Sequence, residues 1–578
     1  MGEAKSTGTG RVGANPVRIG TVPALLLRFS PLLSLPVLVV PVLAGLVGTI
    51  GPAFHFGGQG PDLRAFAELL AWPGLARACL LSVSTGLIAT LIALVLSLLI
   101  LAVFHDRAWF GWIRLSLSPL LAIPHAAAAL GLAFLIAPSG WIARALSPWA
   151  TGWQQPPDLL ILNDPWGVSL TLGLIAKELP FVMIMAMAAL PQIATTQHLR
   201  LAQTFGYGRI AGFALTVVPA LYPALRLPVL AVLTYAMTSI DMGLVLGPTR
   251  PPSLAVQITL WMTDASLTRT DLAAAAALLQ TGLTLLALIV WKTGEVCVAN
   301  LCKVISFQGN RLRALDHANP VVAGLAVLMG LSLTLAILAL ALWSVAGPWP
   351  FPHSLPQSLT LGAWTQAAPA LTATAGTTLA VAGLTTVAAL TLTLAWLQAE
   401  ALFRLVPLPP LLLYLPLIVP QVCFLPGLVH LSLQLGTSAG PAVVAAAHLI
   451  FVLPYTYLTL AGPFRGWDSR IETVAATLGA RPARIFWQLR LPMLQAAVLT
   501  AAAVGFAVSV TQYLPTLLLG GGRVTTLTTE ALALASGGNR RLTSAYALLQ
   551  TLLPMLAFAM VAALTRGHHL GRTARGSR

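Results

Sequence analysis

Long apolar runs alternate with short polar connections along almost the whole chain. A membrane-spanning helix needs about 20 consecutive, mostly apolar residues. Runs of that kind fall at roughly 31–53, 77–104, 113–137, 165–190, 211–246 and 275–294. A more polar stretch follows, and then six further runs at roughly 321–347, 369–398, 405–434, 440–463, 493–518 and 544–565. The pattern predicts an all-α polytopic membrane protein with about twelve spans in two sets of six. The first run is longer than the apolar part of a secretion signal and lacks a small-residue cleavage site, so it reads as an uncleaved anchor. The chain divides into a tail 1–30, a first unit 31–294, a linker 295–318, a second unit 319–565 and a basic tail 566–578.

Composition supports the bilayer as solvent. Charged residues make up 8% of the 578 positions and apolar ones 57%, with a mean hydropathy of +0.86. A soluble domain carries about 25% charged residues. The net charge of +16 would point to nucleic acid in a soluble protein. Here the basic residues are spread over loops and tails, which fits the positive-inside rule and implies no nucleic-acid partner. Lys5, Arg11, Arg18 and Arg28 precede the first run, and Arg566, Arg572, Arg575 and Arg578 follow the last. Arg107 and Arg114 in the connection 105–114, and Lys303, Arg311 and Arg313 in the linker, fall on the same side of a twelve-span count. That side, with both termini, is predicted to be cytosolic in a bacterial inner membrane. The opposite connections 54–76 and 347–368 are poorer in Arg and Lys, and Trp141, Trp149, Trp153, Trp349 and Trp364 suit an interfacial belt. Cys79 and Cys423 lie in apolar runs as small core residues, whereas Cys297 and Cys302 read as reduced thiols in the linker, without metal-ligating neighbours.

One segment is duplicated. Gly206 lies in LAQTFGYGRIAGFALTVVPALYP and Gly479 in TVAATLGARPARIFWQLRLPMLQ, an offset in numbering of 479 − 206 = 273. Ala202 and Ala475 precede them by four positions, Phe213 and Phe486 follow by seven, and Pro219 and Pro492 by thirteen. Leu179-Pro180-Phe181 and Leu453-Pro454-Tyr455 precede the two glycines at nearly the same distance. Each copy lies between the fourth and fifth runs of its half, so the chain is a tandem duplication and both loops are cytosolic in the predicted topology. Residues 465–486 fit an amphipathic helix–turn–helix at the inner membrane surface. Gly479 supplies the turn, Pro482 opens the next helix, and Arg481, Arg484 and Arg490 are placed to reach lipid phosphates.

These residues resemble the cytoplasmic loop of permease subunits of binding-protein-dependent ABC importers of the type I fold. The match covers most of the chain and looks like the fused form with two permease units, as in thiamine-type and iron(III)-type importers. The second copy keeps more of the family pattern: Ala475, Leu478, Gly479, Ala480, Phe486, Leu491 and Pro492 fit, with Thr473 at the usual Glu position and Glu472 just before it. In the first copy Arg200, Leu201 and Ala202 occupy the leading positions, and Phe205 replaces the usual Leu. The resemblance implies that Ala202, Gly206, Phe213, Pro219, Ala475, Gly479, Phe486 and Pro492 belong to loops that couple to ABC ATPase subunits, two copies being expected. It also implies a periplasmic or lipid-anchored substrate-binding protein as a partner, with membrane lipid around the spans.

Nothing in the chain predicts chemistry of its own. No G-x-x-x-x-G-K-[S/T] motif is present, so ATP hydrolysis is expected on another chain. No catalytic constellation, metal site or cofactor is predicted, and His448, alone in an apolar run, reads as a helix-packing residue. Intramembrane ionisable groups cost about 2.5–3.5 kcal/mol on insertion scales and should face protein or water. Lys177 and Glu178 read equally as structural or as lining the path; Asp241 and Gln512, 35 and 33 residues after their glycines, read as pathway or gate positions. The competing class is an ion-coupled secondary transporter of six-plus-six topology, whose basic signature loop would join spans two and three instead of four and five. A membrane scaffold would not need the duplicated loop. The transported solute, whether thiamine, iron(III) or another, is left open.

Overall fold

In a bilayer every backbone N–H and C=O must find its partner inside the protein, which leaves an apolar chain of this length the helix or the closed barrel. The computed structural model describes residues 27–54, 62–107, 110–407 and 409–575, without the side chains of 116, 118, 267 and 566–575. The predicted roles of Lys5, Arg11, Arg18 and Arg578 lie outside the described residues, and those of Arg566, Arg572 and Arg575 rest on side chains that are not described. Among those described, the regular elements are helices, apart from one isolated bridge between Ala346 and Leu359. Among the described residues ten helices are long and apolar enough to cross a membrane, and two bent pairs raise the number to twelve if each pair is one span.

The duplication extends well beyond the glycine loops. Helices start at Val168 and Pro441, at Leu254 and Leu527, and at Leu267 and Arg540, and each pair repeats the offset of the two glycines (441 − 168, 527 − 254 and 540 − 267). Upstream the offset grows to 420 − 124 = 296, read between Pro124 and Pro420, which open the second pieces of the broken third and ninth spans. The residue before a proline is pushed out of the α region, so Ile123 and Val419 mark the two breaks. The excess, 296 − 273 = 23, is an insertion in the first half between its third and fourth spans.

That insertion contains the helix Trp141–Leu146. Arg144 is buried there, stacks over the rings of Trp349 and Phe351 at 5.0 and 5.5 Å, and donates to the Pro350 carbonyl at 3.0 Å. Trp349 is itself buried and packs 4.4 Å from Trp343. It therefore holds the insertion against the second half, not a lipid headgroup as an interfacial belt would require.

The two units exchange their first spans. Ser30–Phe54 packs on Gln421–Gln434, the helix after the break in the second half. A Cβ on Gly45, Gly48 or Gly427 would overlap the backbone or side chain of the facing helix, and Thr49 Oγ1 donates to the Cys423 carbonyl at 3.0 Å. Small residues let the backbones approach, as helix packing in lipid requires. Reciprocally, Asn319–Ser344 packs on His125–Ile136, where a Cβ on Gly131 would lie 2.6 Å from the Ala336 carbonyl. The interface between halves is thus built from both ends.

Two helices outrun the apolar patterns. Leu267–Phe307 has 41 residues and carries helix through much of the expected linker, and Arg540–Arg575 continues into the expected tail. At 1.5 Å per residue the first is about 60 Å long, twice the roughly 30 Å hydrocarbon core. Helix propensity persists past the apolar stretch because Lys303, Val304 and their neighbours are good helix formers or neutral.

Candidate functional site

Both glycine loops are built alike. A short helix, Thr195–Thr204 or Ser469–Thr477, ends in a residue in the left-handed region: Gly206 at φ +79° and Gly479 at φ +85°. The next N–H, of Tyr207 or Ala480, bonds back to the carbonyl of Ala202 or Ala475 at 3.1 and 3.0 Å. This is a Schellman closure, which favours glycine at the positive-φ position. The chain reverses and enters a new helix at Arg209 or Pro482. Each new helix widens into a π-helical turn, Phe213–Val217 or Phe486–Arg490, two residues before Pro219 or Pro492. A proline ring clashes with the carbonyl four residues back in a regular helix, and the wider turn relieves that clash.

Side chains distinguish the two loops. Phe213 is fully buried, with the His105 ring 5.8 Å away, whereas Phe486 is half-buried. Arg481 and Arg484 are exposed as expected. Arg490 is not available to lipid phosphates: it is 5% exposed, with its guanidinium 3.9 Å from the centre of the Phe464 ring. It pairs with Glu472 at 3.1 Å and donates to the Phe464 carbonyl at 3.1 Å and to Gln398 at 3.3 Å. An arginine turned inward finds these acceptors, so Glu472 and Arg490 clamp the short helix to the π turn. The equivalent positions in the first loop, at the same offset, are Leu199 and Val217, a buried apolar pair.

On the outward face of the short helices stand exposed apolar residues at matching places. Leu201 and Phe205 are 56% and 61% exposed, and Val474 and Leu478 are 58% and 82% exposed. Each pair is four residues apart and so shares one helix face.

A second assembly lies inside the spans. Lys177, Glu178 and Asp241 are buried. Glu178 meets His125 Nε2 at 3.1 Å, next to the break at Pro124. Lys177 diverges from its neighbour and donates to the Leu121 carbonyl at 3.2 Å. Asp241 accepts from Tyr235 and Ser239 at 3.0 and 3.1 Å and from its own neighbour's N–H. The structure therefore joins Glu178 and Asp241 in one polar cluster through His125 and Tyr235, whose rings lie 4.5 Å apart, with Lys177 beside Glu178 in sequence but bonded elsewhere.

Gln512 is placed differently. The fifth and eleventh spans break at Ser239 and Gln512, with ψ 113° and 117°. The repeat offset makes Ser239 the counterpart of Gln512 (512 − 239) and Leu514 that of Asp241 (514 − 241), so the sequence pairing of Asp241 with Gln512 is two residues out of register. His448 spans the second-half break, meeting Ser509 Oγ and Thr516 Oγ1, each at 2.8 Å. It packs helices, as its apolar setting suggested.

Sequence reasoning missed the anchors near the loop ends of the spans. Glu295 accepts from Tyr222 at 2.8 Å and Arg226 at 2.6 Å, and Glu400 accepts from Tyr457 and Arg465, both at 2.8 Å. The available signal was rarity: acidic residues number 16 in the chain, and an isolated one beside an apolar run needs a partner.

No family model matches the chain. It is 31% identical to the inner membrane ABC transporter permease protein YnjC of Escherichia coli K12, over 540 residues that cover 92% of this chain and 94% of that protein. It is 35% identical over 143 residues to the molybdenum transport system permease protein ModB of Mycobacterium tuberculosis, covering 22% of this chain and 54% of that one. The spermidine/putrescine transport system permease protein PotC of Haemophilus influenzae is 30% identical over 98 residues, 17% of this chain and 38% of that one. Similarity along nearly the whole length to one ABC permease, and over parts of the chain to permeases of two further transport systems, shows that this polytopic all-α chain belongs to the ABC importer permeases, as a form with two units fused.

Proposed function

We propose that the two glycine loops are docking elements for two separate ABC ATPase subunits, and that a substrate-binding protein delivers a small solute to the opposite face. One observation carries the reading. Exposed apolar pairs, Leu201 with Phe205 and Val474 with Leu478, stand on the same face of two short helices at equivalent places in the two units. Apolar groups held on rigid helices outside the spans fit protein partners. The loops continue through π turns into the spans that break at Ser239 and Gln512. A displacement at the first loop thus reaches the middle of the bundle along one packed helix, and at the second loop across a 74° bend between Met493 and Gln495. Asp241, Lys177, Glu178 and Gln512 lie at or near the breaks, which supports their assignment to the pathway. The loops, the linker and both termini are assigned to the cytosolic side by their Arg and Lys content, and the membrane to a bacterial inner membrane. Solute choice is assigned to the binding protein. An ion-coupled secondary transporter is disfavoured by the family.

Reconstitution tests the reading. The purified chain should hydrolyse no ATP, and uptake into liposomes should require ATP, the ATPase and the binding protein together. Hydrolysis by the chain alone, or uptake driven by an ion gradient without ATP, would refute it. In a background with the four native cysteines replaced, Lys303→Cys should react with an impermeant thiol reagent only from the cytosolic side.

A further inference from the structure

The linker returns along the first glycine loop before it enters the seventh span. Arg313 Nε donates to the Gly206 carbonyl at 3.0 Å. Both oxygens of Asp316 are engaged: Oδ2 accepts from the Arg209 N–H and Oδ1 from the Ile210 N–H, each at 3.0 Å. The first N–H groups of a helix have no partner within it and favour negative charge. The helix that starts at Arg209 is therefore capped by a carboxylate 107 residues away (316 − 209). The contact is close. A Cβ on Gly208 would overlap the Asp316 carboxylate, and a Cβ on Gly206 would lie 3.0 and 3.1 Å from the guanidinium groups of Arg313 and Arg311.

Among the described residues the second loop has no such cover. A Cβ on Gly479 would meet nothing within 4 Å, and the surface beside it is an open groove of about 220 Å³ that includes Leu478, Ala480, Arg484 and Ile485. That loop is stiffened internally by the ion pair of Glu472 and Arg490, where the first has the apolar pair Leu199 and Val217 and a 3.4 Å hydrogen bond from Thr216 to the His198 carbonyl. Three residues after Asp316 the helix Asn319–Ser344 begins, and it packs on His125–Ile136 of the first half. The helix His125–Ile136 opens with the histidine that meets Glu178.

We propose that Asp316 and Arg313 are positioning residues that fasten the first glycine loop to the root of the seventh span, so that the loop, the linker turn and that span move as one body. The inference rests on the permease reading above. A push from an ATPase on the first loop is then passed directly into a span that belongs by sequence to the second unit and packs against the first. The second loop acts through its own helix alone. The two loops transmit by different routes, and the linker is a working part of one of them.

The test uses the full complex with its ATPase and binding protein in liposomes, in the cysteine-replaced background. Asp316→Ala should lower solute-stimulated hydrolysis and uptake roughly fivefold, the scale of a lost cap, with ATPase co-purification unchanged; Asp316→Glu should restore most of the loss. A merely structural role would lower assembly and stimulation together and would not separate them. The pair Gly208→Cys with Asp316→Cys provides the second arm. Oxidised, the linked pair should keep uptake within twofold of the unsubstituted complex; reduced, it should behave like Asp316→Ala. Loss of uptake on oxidation would show that loop and linker must separate, and normal stimulation in Asp316→Ala would show that the fastening transmits nothing; either overturns the proposal. Failure of the unsubstituted complex to take up solute on ATP would instead overturn the permease reading. The cross-linking yield at 208–316, read on the chain without partners, judges the contact independently: a low yield overturns the fastening.

Discussion

Replacing Arg490 by Val copies into the second loop the residue that the first loop carries at the equivalent place, Val217. The substitution removes a buried guanidinium that is stacked on Phe464 at 3.9 Å, pairs with Glu472 at 3.1 Å and bonds the Phe464 carbonyl at 3.1 Å. A desolvated cation–π contact is worth about 2 kcal/mol, and a hydrogen bond to a charged group about 1.5–3 kcal/mol. Glu472 is 33% exposed and rehydrates when its partner leaves, so the full cost of a stranded buried charge does not apply. The expected loss is about 3 kcal/mol. Glu472→Leu alone leaves the buried Arg490 with carbonyl partners only, and a loss of about 2–3 kcal/mol follows from the same reasoning. The double substitution restores an apolar pair like Leu199 with Val217. Well-packed apolar replacements of buried ion pairs are often neutral, so the double variant should recover at least about 1.5 kcal/mol relative to the sum of the singles. Equilibrium unfolding of the four detergent-solubilised proteins, followed by tryptophan fluorescence, measures the cycle. A coupling energy below about 0.5 kcal/mol, the usual additivity error, would show that the two side chains do not form a clamp.

Gly427→Ala should disrupt the docking of the first span, because its Cβ would overlap the Gly45 carbonyl and lie 2.5 Å from the Thr49 nitrogen; the expected cost is at or above the upper end of the usual range of about 1–3 kcal/mol for overpacking. Gly51→Ala in the same first span is the control, since its Cβ meets nothing within 4 Å, and a melt in which the two variants behave alike would refute the exchange of first spans. Phe213→Ala should cost about 3–5 kcal/mol as a fully buried phenyl and Phe486→Ala, half-buried, about half as much; thermal midpoints in the reverse order would contradict the burial described for the two loops.

The apolar period placed the spans because each must satisfy its backbone alone and face lipid or protein with apolar side chains, a demand written into every run of about twenty residues. Gly206 and Gly479 were legible for a related reason: a positive φ admits few residue types, so the turn is visible as glycine. What stayed hidden depends on pairing across distance. Nothing near Arg490 in sequence says that it turns inward to Glu472, and nothing near Asp316 says that it caps a helix 107 residues earlier. The exchange of first spans was equally invisible, because Gly45, Gly48 and Gly427 are ordinary members of apolar runs until the facing backbone is known. Lys177, Glu178 and Asp241 fell between these cases. Their burial followed from the cost of charge in lipid, while the convergence of Glu178 and Asp241 with His125 and Tyr235 required the fold.

The two halves agree in backbone and disagree in side chains, and this division has a physical reason. Most helix starts, the Schellman glycines, the π turns and the breaks at Ser239 and Gln512 recur at one offset from the fourth span onward, whereas the 74° bend between Met493 and Gln495 has no counterpart in the unbroken helix Val218–Thr238. Each depends on glycine, on proline or on a single kinked residue, for which few substitutes exist. The devices that stiffen this frame are interchangeable. Glu472 with Arg490 in one loop is replaced by Leu199 with Val217 in the other, and Ile175 stands at the place of His448. A buried ion pair and an apolar pair of similar volume differ little in free energy, so either serves once the backbone is set. Divergence in such devices leaves the shared frame intact but makes the two loops mechanically unequal. The linker contact through Asp316 falls on the loop that lacks an ionic clamp of its own. Stiffness absent from the loop itself is supplied from outside it, by the segment that joins the two units and by Ala102 and Asp106 at the end of the second span, which hold Arg209.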